Sequence, residues 1–368
     1  MSGAMTSPAI SVVMSVYNGE EYLAEAVESI LAQTFCDFEF IVIDDGSTDG
    51  TARMLAEYAA RDGRVRVVTQ ENRGRPAALN LGMEMARADL IARMDADDVS
   101  LPERFERQIE WLRTHPEVSL LGTWVEHIGP RGQRLGMLPA PAEDREIRET
   151  MLRWCAFCHP TVMMRKAAAL AAGGYRSALR DADDYDLWLR MAERTRMANL
   201  PQILLRYRIH PKQVSVSNMA HQMWCWGAAI AAASMRREGL RDPLADVTEI
   251  TPEFARQLGV RDEDVQHDIA AGHYIWIGML ASLCPDEALR LVENLLQMQG
   301  HAGVSQRVVA DALFVGARIH LRAGRVGSAL AAAGHAAAIH PLVAGRVARM
   351  AFSRRLRDWN ERVLHLVQ

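Results

Sequence analysis

The sequence predicts an α/β protein with a doubly wound sheet, followed by an all-α carboxyl-terminal region. Apolar runs suited to buried parallel strands alternate with helical stretches and short connections early in the chain. Acidic residues follow two of these runs, and beyond about residue 216 the strand patterns give way to Ala-rich helical periodicity. We therefore expect two domains, one of residues 1–215 and one of residues 216–368.

The first part of the sheet is predicted from four apolar runs separated by helical stretches. The strands are expected at Ile10–Val16, Phe38–Ile43, Val65–Val68 and Leu90–Met94, with helices at Tyr22–Leu31, Asp49–Ala60 and Pro76–Ala86 between them. Asn18, with Glu21 three residues later, predicts a capping box at the start of the first helix.

Mixed elements follow, and then helices alone. We expect a helix at Glu103–Arg113, a strand at Ser119–His127, a loop at Pro130–Ala142, a short strand after Cys158 and a strand at Ile203–His210. Later helices are expected at Met223–Met235, Asp268–Ser282, Pro285–Gln297, Ala310–Leu321, Gly327–His340 and Arg349–Leu366, paired like repeated hairpins. No constellation of titratable residues stands out in this helical region, so we assign it to docking or homo-oligomerisation rather than to chemistry.

Two acidic clusters carry the candidate chemistry. Asp95, Asp97 and Asp98 directly follow an apolar strand, where open α/β sheets bind their ligands. Crowded carboxylates repel each other unless a cation or hydrogen-bond donors neutralise them, although a solvated acidic turn would look the same in sequence. Asp183 and Asp184 open a predicted helix, where stabilisation of the helix dipole is the alternative interpretation.

Composition excludes several classes of partner. The 368 residues carry a net charge of −4 and contain no long basic tract, so a nucleic-acid partner is not indicated. The amino terminus lacks the pattern of a signal peptide, and the longest apolar stretch, Ile269–Cys284, is too short to span a bilayer. We expect no transmembrane segment and a cytoplasmic protein, with a peripheral position at the inner membrane face as one option.

One cysteine motif offers a separate interpretation. Cys155, Cys158 and His159 match the C-x-x-C-H pattern of covalent haem attachment. That chemistry usually needs export, which nothing in the sequence indicates. Both thiols are therefore predicted to be half-buried packing residues.

Four motifs in order resemble those of the family 2 glycosyltransferases, which have the GT-A fold. They are Ser11–Gly19, Ile43–Thr51, Ala92–Asp98 and Asp183–Asp186, and the resemblance covers about residues 8–215. It implies a Rossmann-like, doubly wound mixed sheet. It further implies inverting transfer of a sugar from a nucleotide diphosphate-sugar, expected to be a UDP-sugar, to a hydroxyl of a glycan or glycolipid acceptor in surface polysaccharide synthesis.

The resemblance also implies roles for particular residues. Asp97 and His210 would bind a divalent cation, Mn²⁺ or Mg²⁺, and Asp184 would be the catalytic base. The nucleotide would be bound by Ser15, Tyr17, Asn18, Asp45, Arg75 and Asp95, whereas Arg93, Asp98, His159 and Asp183 would face the donor or lie behind the metal ligands. Asp183 stands where the family usually has Glu.

Two alternatives to this assignment remain open at the level of sequence. A sugar-1-phosphate nucleotidyltransferase is also acidic and doubly wound, but it would need a Gly-rich, basic phosphate loop after the first strand, which Val16–Gly19 does not supply. A non-catalytic protein that binds nucleotide-sugars or docks a partner is the other. The Gln-x-x-Arg-Trp motif of processive synthases is absent, so we expect transfer of one sugar per encounter.

Overall fold

The structure is a computed structural model that describes residues 7–340 and residue 343. The chain forms two compact units. The first contains the described residues up to Arg208 together with Trp224–Gly259, and the second contains Ile209–Met223 and the described residues from Val260 onward. The predicted division between residues 215 and 216 stays a prediction, since the chain crosses between the two units more than once.

The first unit is built on one mixed sheet. Its strands are β1 (Ile10–Val16), β2 (Phe38–Asp44), β3 (Val65–Thr69), β4 (Leu90–Asp95), β5 (Val99–Ser100), β6 (Val118–Ile128), β7 (Arg134–Leu138), β8 (Met163–Arg165) and β9 (Arg196–Arg208). The strand order is β3-β2-β1-β4-β8-β6-β9-β5, and β7 pairs with β6 outside this path. The first four strands are parallel, whereas β8 is antiparallel to both β4 and β6. The predicted Rossmann-like mixed sheet is confirmed.

Helices connect the strands of the first unit and make up most of the second. They are α1 (Leu23–Leu31), α2 (Thr51–Arg61), α3 (Arg75–Met85), α4 (Arg104–Thr114), α5 (Asp144–Thr150), α6 (Lys166–Ala171), α7 (Asp183–Ala192), α8 (Val214–Ser217), α9 (Met219–Arg237), α10 (Pro252–Gln257), α11 (Asp262–Leu280), α12 (Pro285–Gln297), α13 (Gln306–Arg322) and α14 (Val326–Ile339). The predicted helix at Arg349–Leu366 lies outside the described residues. Within the described part of the chain, none of the helices is both long and apolar enough to cross a membrane.

The strand order places a crevice at one edge of the sheet. The chain runs from β1 outward to β2 and β3, then returns to place β4 on the other side of β1. Ligands of open α/β sheets bind at the carboxyl ends of the strands where the order reverses in this way. Ser15 pairs with Asp95 across β1 and β4, so the predicted acidic cluster begins at this position.

Three local predictions were wrong. The loop expected at Pro130–Ala142 contains β7, whose residues are all exposed and so lack the buried apolar pattern of a strand. The capping box does not form, because α1 begins at Leu23 without a side-chain cap and Asn18 Oδ1 accepts a hydrogen bond from the Thr48 amide at 2.8 Å. Strand β9 begins at Arg196, seven residues earlier than expected.

Residues 224–259 return to the first unit through ion pairs beside α7. Arg236 Nε donates to Glu193 at 2.8 Å, and Arg176 donates to Asp242 at 2.5 Å. Arg176 also lies 3.4 Å from Asp186, a fully buried carboxylate of α7. This segment therefore supports the helix that carries Asp183 and Asp184.

Glu39 organises the edge of the sheet opposite the crevice. Its side chain is 3% exposed and accepts hydrogen bonds from Ser11 Oγ at 2.7 Å, from Arg66 at 2.6 Å and from the backbone and side chain of Arg87 at 2.7 and 2.9 Å. Burial raises the pKa of Glu39, but the hydrogen bonds from Arg87, Ser11 and Arg66 outweigh it, and the pKa lies below its usual 4.5.

We expect Glu39→Gln to lower the free energy of unfolding by about 2 kcal/mol at neutral pH, because charge-assisted hydrogen bonds are lost. A carboxylate whose folded-state pKa is depressed contributes stability above its unfolded-state pKa and loses it as the pH falls through the folded value. The difference in free energy of unfolding between the variant and the wild type should therefore decrease below about pH 4.5. Urea unfolding at several pH values measures this, and Glu28→Gln, which removes an exposed pair with Arg61, is the matched control. Equal effects of the two variants would contradict the prediction.

Candidate active site

An acidic loop joins β4 to β5 at the edge of the crevice. One carboxylate oxygen from each of Asp95, Asp97 and Asp98 lies within 4.8 Å of those of the other two. Arg208, at the end of β9, holds the loop in place: its amide donates to Asp98 Oδ1 at 2.8 Å, and its Nε donates to the Asp97 carbonyl at 2.7 Å. Arg208 thus fixes the loop through the Asp97 backbone and through the Asp98 side chain, and this holds the three carboxylates close together.

The charge of this loop is only partly compensated by the protein. Asp98 is buried, and burial together with the charges of Asp97 and Asp95 raises its pKa well above the usual range. Its Oδ2 atom has no hydrogen-bond partner among the described residues. Hard carboxylate oxygens with uncompensated charge are the ligands that Mg²⁺ and Mn²⁺ prefer. The donor set of the loop therefore fits a divalent cation.

The loops after β1 and β2 are joined to each other. The Asn18 amide donates to Ser47 Oγ at 2.9 Å, and Asn18, at φ 51°, accepts from Thr48. Tyr17, just before this junction, is 52% exposed. Ser15 lies half-buried at the end of β1. A planar, solvent-facing ring beside a fixed loop is suited to stacking on a nucleotide base.

Asp45 fixes a third loop. Its Oδ1 accepts from Gln70 Nε2 at 2.6 Å and from the Arg73 amide at 2.9 Å, and its Oδ2 accepts from the Gly74 amide at 2.8 Å. Gly74 has φ 85°, a value that favours glycine. Asp45 thus orders the loop that leads into α3 and Arg75, while its contact with a nucleotide stays a prediction.

Arg75 lies between the two acidic clusters. Its guanidinium forms an ion pair with Asp183 and donates to the Arg180 carbonyl at 3.3 Å. Burial would lower the pKa of Arg75, but the charges of Asp183, Asp184 and Asp95 outweigh it and raise that pKa. Acidic residues from α7 and β4 therefore surround the Arg75 guanidinium of α3.

Asp183 and Asp184 occupy the first turn of α7, as the sequence predicts. Asp183 is fully buried, whereas the Asp184 side chain is 21% exposed and accepts a hydrogen bond from the Tyr185 amide at 2.8 Å. Burial raises the pKa of Asp183 to about 6, against the effect of Arg75, and burial also raises the pKa of Asp184. Of the two acids, Asp184 is the one that solvent or a ligand can reach.

Buried polar side chains connect the acidic loop after β4 with the acids at the start of α7. Arg93 is 1% exposed, donates to Asp95 Oδ1 at 2.5 Å and donates through Nε to His159 Nε2 at 3.2 Å. Tyr175 Oη lies 2.9 Å from the same ring nitrogen. Because Nε2 accepts from Arg93, the neutral imidazole carries its proton on Nδ1, which lies 4.0 Å from Asp184 Oδ2.

The protonation state of His159 follows from this environment. Burial and the charges of Arg93 and Arg75 lower its pKa well below the usual value. The ring is therefore neutral at physiological pH, and its Nδ1 atom lies 4.0 Å from Asp184 Oδ2, beyond hydrogen-bonding distance. Cys155 and Cys158 are half-buried free thiols, in agreement with the packing role predicted for them.

The predicted site residues thus fall into three groups. Asp95, Asp97, Asp98, Arg93, Arg75, His159, Asp183 and Asp184 converge at the crevice, and Ser15, Tyr17, Asn18 and Asp45 belong to the strand ends and loops beside it. His210 belongs to the second unit, directly after β9, and its role as a metal ligand stays a prediction. Sequence analysis missed Tyr175 and Arg208, single residues with no motif around them.

Comparisons with known proteins agree with this geometry. Residues 11–172 match the family model described as glycosyl transferase family 2. EpsE of Bacillus subtilis (strain 168), named as a candidate glycosyltransferase, is 40% identical over 211 residues, covering 55% of this chain and 74% of EpsE. WbnJ of Escherichia coli, named an O-antigen biosynthesis glycosyltransferase, is 36% identical over 216 residues, covering 58% of this chain and 84% of WbnJ.

Among solved structures, S. aureus TarS 1-349 in complex with UDP-GlcNAc is similar with a TM-score of 0.53 and 17% identity, covering 87% of this chain and 89% of that one. A likeness at this identity concerns the fold, which is the GT-A fold followed by a helical region. The chain belongs to glycosyltransferase family 2. It is a glycosyltransferase.

Proposed function

We propose that this enzyme transfers one sugar from a nucleoside diphosphate-sugar, expected to be a UDP-sugar, to a hydroxyl of a glycan or glycolipid, with inversion at the anomeric carbon. The observation that carries the proposal is the convergence of the acidic loop after β4 with Asp184, through Arg75 and through the pair Arg93–His159. Sugar transfer needs two such carboxylate groups within one site. One binds the cation that accompanies the donor diphosphate, and the other takes the proton of the acceptor hydroxyl.

The donor would lie along the ends of β1, β2 and β4. Tyr17 is exposed for stacking on the base, and Asp45 orders the loop that leads to Arg75. Asp95 would lie against the ribose or the waters of the metal. Asp97 would bind a divalent cation, with His210 as a further ligand and Asp98 behind them. When bound, such a cation neutralises the negative charge that develops on the leaving diphosphate.

The acceptor hydroxyl would lose its proton to Asp184. A base must be unprotonated yet basic enough to take a proton, and a raised carboxylate pKa meets that need near neutral pH. The His159 ring lies beside this carboxylate, with Nδ1 4.0 Å from Asp184 Oδ2, and Arg75, held by Asp183, supplies compensating charge. Asp183 serves this purpose in place of the usual Glu.

The class of acceptor is proposed from a relative. WbnJ carries a name that refers to O-antigen biosynthesis, and we propose that this chain likewise acts in surface polysaccharide synthesis at the cytoplasmic side of the membrane. The helical region from residue 216 onward would mediate docking or homo-oligomerisation. Neither alternative function is favoured, because the family match is to transferases.

A panel of UDP-, GDP- and dTDP-sugars with Mn²⁺ or Mg²⁺ tests the proposal on the full chain. We expect one donor to raise the melting temperature only with metal present, and slow hydrolysis of that donor to release the nucleoside diphosphate. With an α-linked donor, NMR of the first product should show the β-sugar. Formation of a nucleoside triphosphate and a sugar 1-phosphate when pyrophosphate is added would indicate a nucleotidyltransferase, the α-sugar would refute inversion, and no binding of any donor would refute the proposal.

A further inference from the structure

Two tryptophans form an aromatic surface beside the start of α7, here called the aromatic platform. Trp154 is 44% exposed, and its ring meets that of Trp226 edge to face, with 5.4 Å between centroids and an interplanar angle of 88°. Trp226 is half-buried and also contacts the fully buried ring of Tyr185, with centroids 5.1 Å apart. The platform therefore joins the buried ring of Tyr185 to the surface of the first unit through ring contacts.

The platform adjoins Asp184 at two points of the chain. Tyr185 directly follows Asp184, and its hydroxyl donates to the Met151 carbonyl at 2.6 Å, which fixes the segment before Trp154. The segment that carries Trp154 continues to His159, whose Nδ1 lies 4.0 Å from Asp184 Oδ2, and burial with the charge of Asp184 raises the pKa of the intervening Cys155 thiol. The segments that carry Tyr185 and Trp154 thus both adjoin Asp184.

A third link comes from α9. Cys225 precedes Trp226, and burial with the charges of Asp181 and Asp183 raises the pKa of its thiol to about 12. The helix turn that carries Trp226 packs against the first turn of α7, because the Trp226 ring contacts that of Tyr185. Trp226 lies outside residues 11–172, the range that matches the family model, so this side of the site is contributed by the chain's own later segment.

The position of the platform separates it from the donor. The acidic loop and Arg75 approach the crevice from β4 and α3, and Tyr17 is exposed at the end of β1. Singly exposed apolar residues are ordinary on protein surfaces and need no explanation. Two adjoining indoles anchored beside a reachable carboxylate are different, because they offer a preformed apolar face next to a hydrogen-bond acceptor, as sites for small polar ligands do.

We propose that the aromatic platform binds the acceptor as a pyranose ring. The C–H groups on one face of the sugar would pack on the Trp154 indole, whose π face is electron-rich, while a hydroxyl at the ring edge points to Asp184. Rigid aromatic rings give contact area at low cost in conformational entropy, so they suit a sugar that must be held in one orientation. The inference rests on the proposed function, in which Asp184 accepts the proton of that hydroxyl.

Binding of simple sugars tests the platform directly. The probes are methyl β-glycosides of glucose, galactose and N-acetylglucosamine, added to the full chain with UDP and Mn²⁺ and followed by saturation-transfer NMR. We expect at least one glycoside to receive saturation at its ring protons, a Kd about tenfold weaker in Trp154→Ala, and partial recovery in Trp154→Phe. Octylphosphocholine, which has an alkyl chain and no sugar, should not compete.

The matched control is Trp111→Ala, because Trp111 of α4 is half-buried and stacks on His115, which follows the helix, with centroids 3.8 Å apart. It should leave the Kd of the glycoside unchanged. The proposal is overturned if no glycoside receives saturation, if Trp154→Ala binds as tightly as the wild type, or if octylphosphocholine alone occupies the surface.

Donor hydrolysis distinguishes this failure from failure of the proposed function. We expect Trp154→Ala to hydrolyse the donor at the wild-type rate, because none of the residues proposed to bind the donor belongs to the platform. An equal loss of hydrolysis and glycoside binding would show a merely structural role and overturn the inference. If the wild-type protein binds no nucleotide-sugar, the proposed function itself is refuted.

Discussion

Asp184→Asn is expected to abolish sugar transfer while donor binding persists. The amide keeps the size of the side chain but cannot take a proton, and loss of a general base costs about 10²- to 10⁴-fold in rate. The Tyr185 amide can still donate to the side-chain oxygen, so the first turn of α7 should keep its geometry. Measurement of kcat with saturating donor, together with donor Kd from calorimetry, separates the two effects.

The pH profile provides a second readout of the same assignment. Because the pKa of Asp184 is raised, the wild-type rate should fall as the pH drops through values above 3.8, the ordinary value for aspartate. Burial raises the pKa of the neighbouring Asp183 to about 6, so the acid limb of the profile reports on both carboxylates. Asp184→Asn should remove this limb from the residual activity.

Asp246→Asn is the matched control for this substitution. Its side chain is 79% exposed and pairs with Arg241 on the surface, so both transfer and the pH profile should stay at wild-type values. Normal turnover in Asp184→Asn would refute its assignment as the base. A loss of donor binding equal to the loss of rate would place Asp184 on the donor instead.

Asp97→Ala is expected to cause the second large loss. Stabilisation of a leaving group by a bound cation is worth several kcal/mol, so transfer should fall by about a thousandfold, and the Mn²⁺ concentration for half-activation should rise. The Arg208 guanidinium bonds the carbonyl of Asp97, which the variant retains. Removal of one of three crowded carboxylates relieves repulsion, so the melting temperature without metal should not fall.

Metal titrations of donor hydrolysis measure this effect, with EDTA-treated protein as the starting point. Asp89→Ala is a suitable control, since Asp89 is exposed just before the opposite end of β4. It should leave the Mn²⁺ dependence unchanged. Unaltered turnover and metal dependence in Asp97→Ala would rule out the proposed ligand.

The sequence predicted elements best where burial dictates the pattern. Strands β1, β2 and β4 are buried almost throughout and were found within a residue of their ends. Strand β7 is exposed at every residue and lacks that signal. The early part of β9 was missed because it contains Pro201, a residue that argues against a paired strand, and its pairing with β6 is irregular between Leu200 and Ile203.

The candidate site was predictable to the extent that motifs mark it. Acids at strand and helix ends can be recognised from residue type and spacing, and the structure connects Asp95 to Asp184 through Arg93 and His159. Asn18 was misread because a tertiary contact with Thr48 replaces the local cap. Tyr175, Arg208 and Trp226 reach the site only through the fold, from positions where a single residue gives no local signal.

The return of residues 224–259 to the first unit has a practical consequence for protein engineering. A shortened chain that stops near residue 216 would lack the partners of Glu193 and Arg176 and would leave the underside of α7 uncovered. Chimaeras that exchange specificity with other transferases should therefore carry this segment along with the sheet.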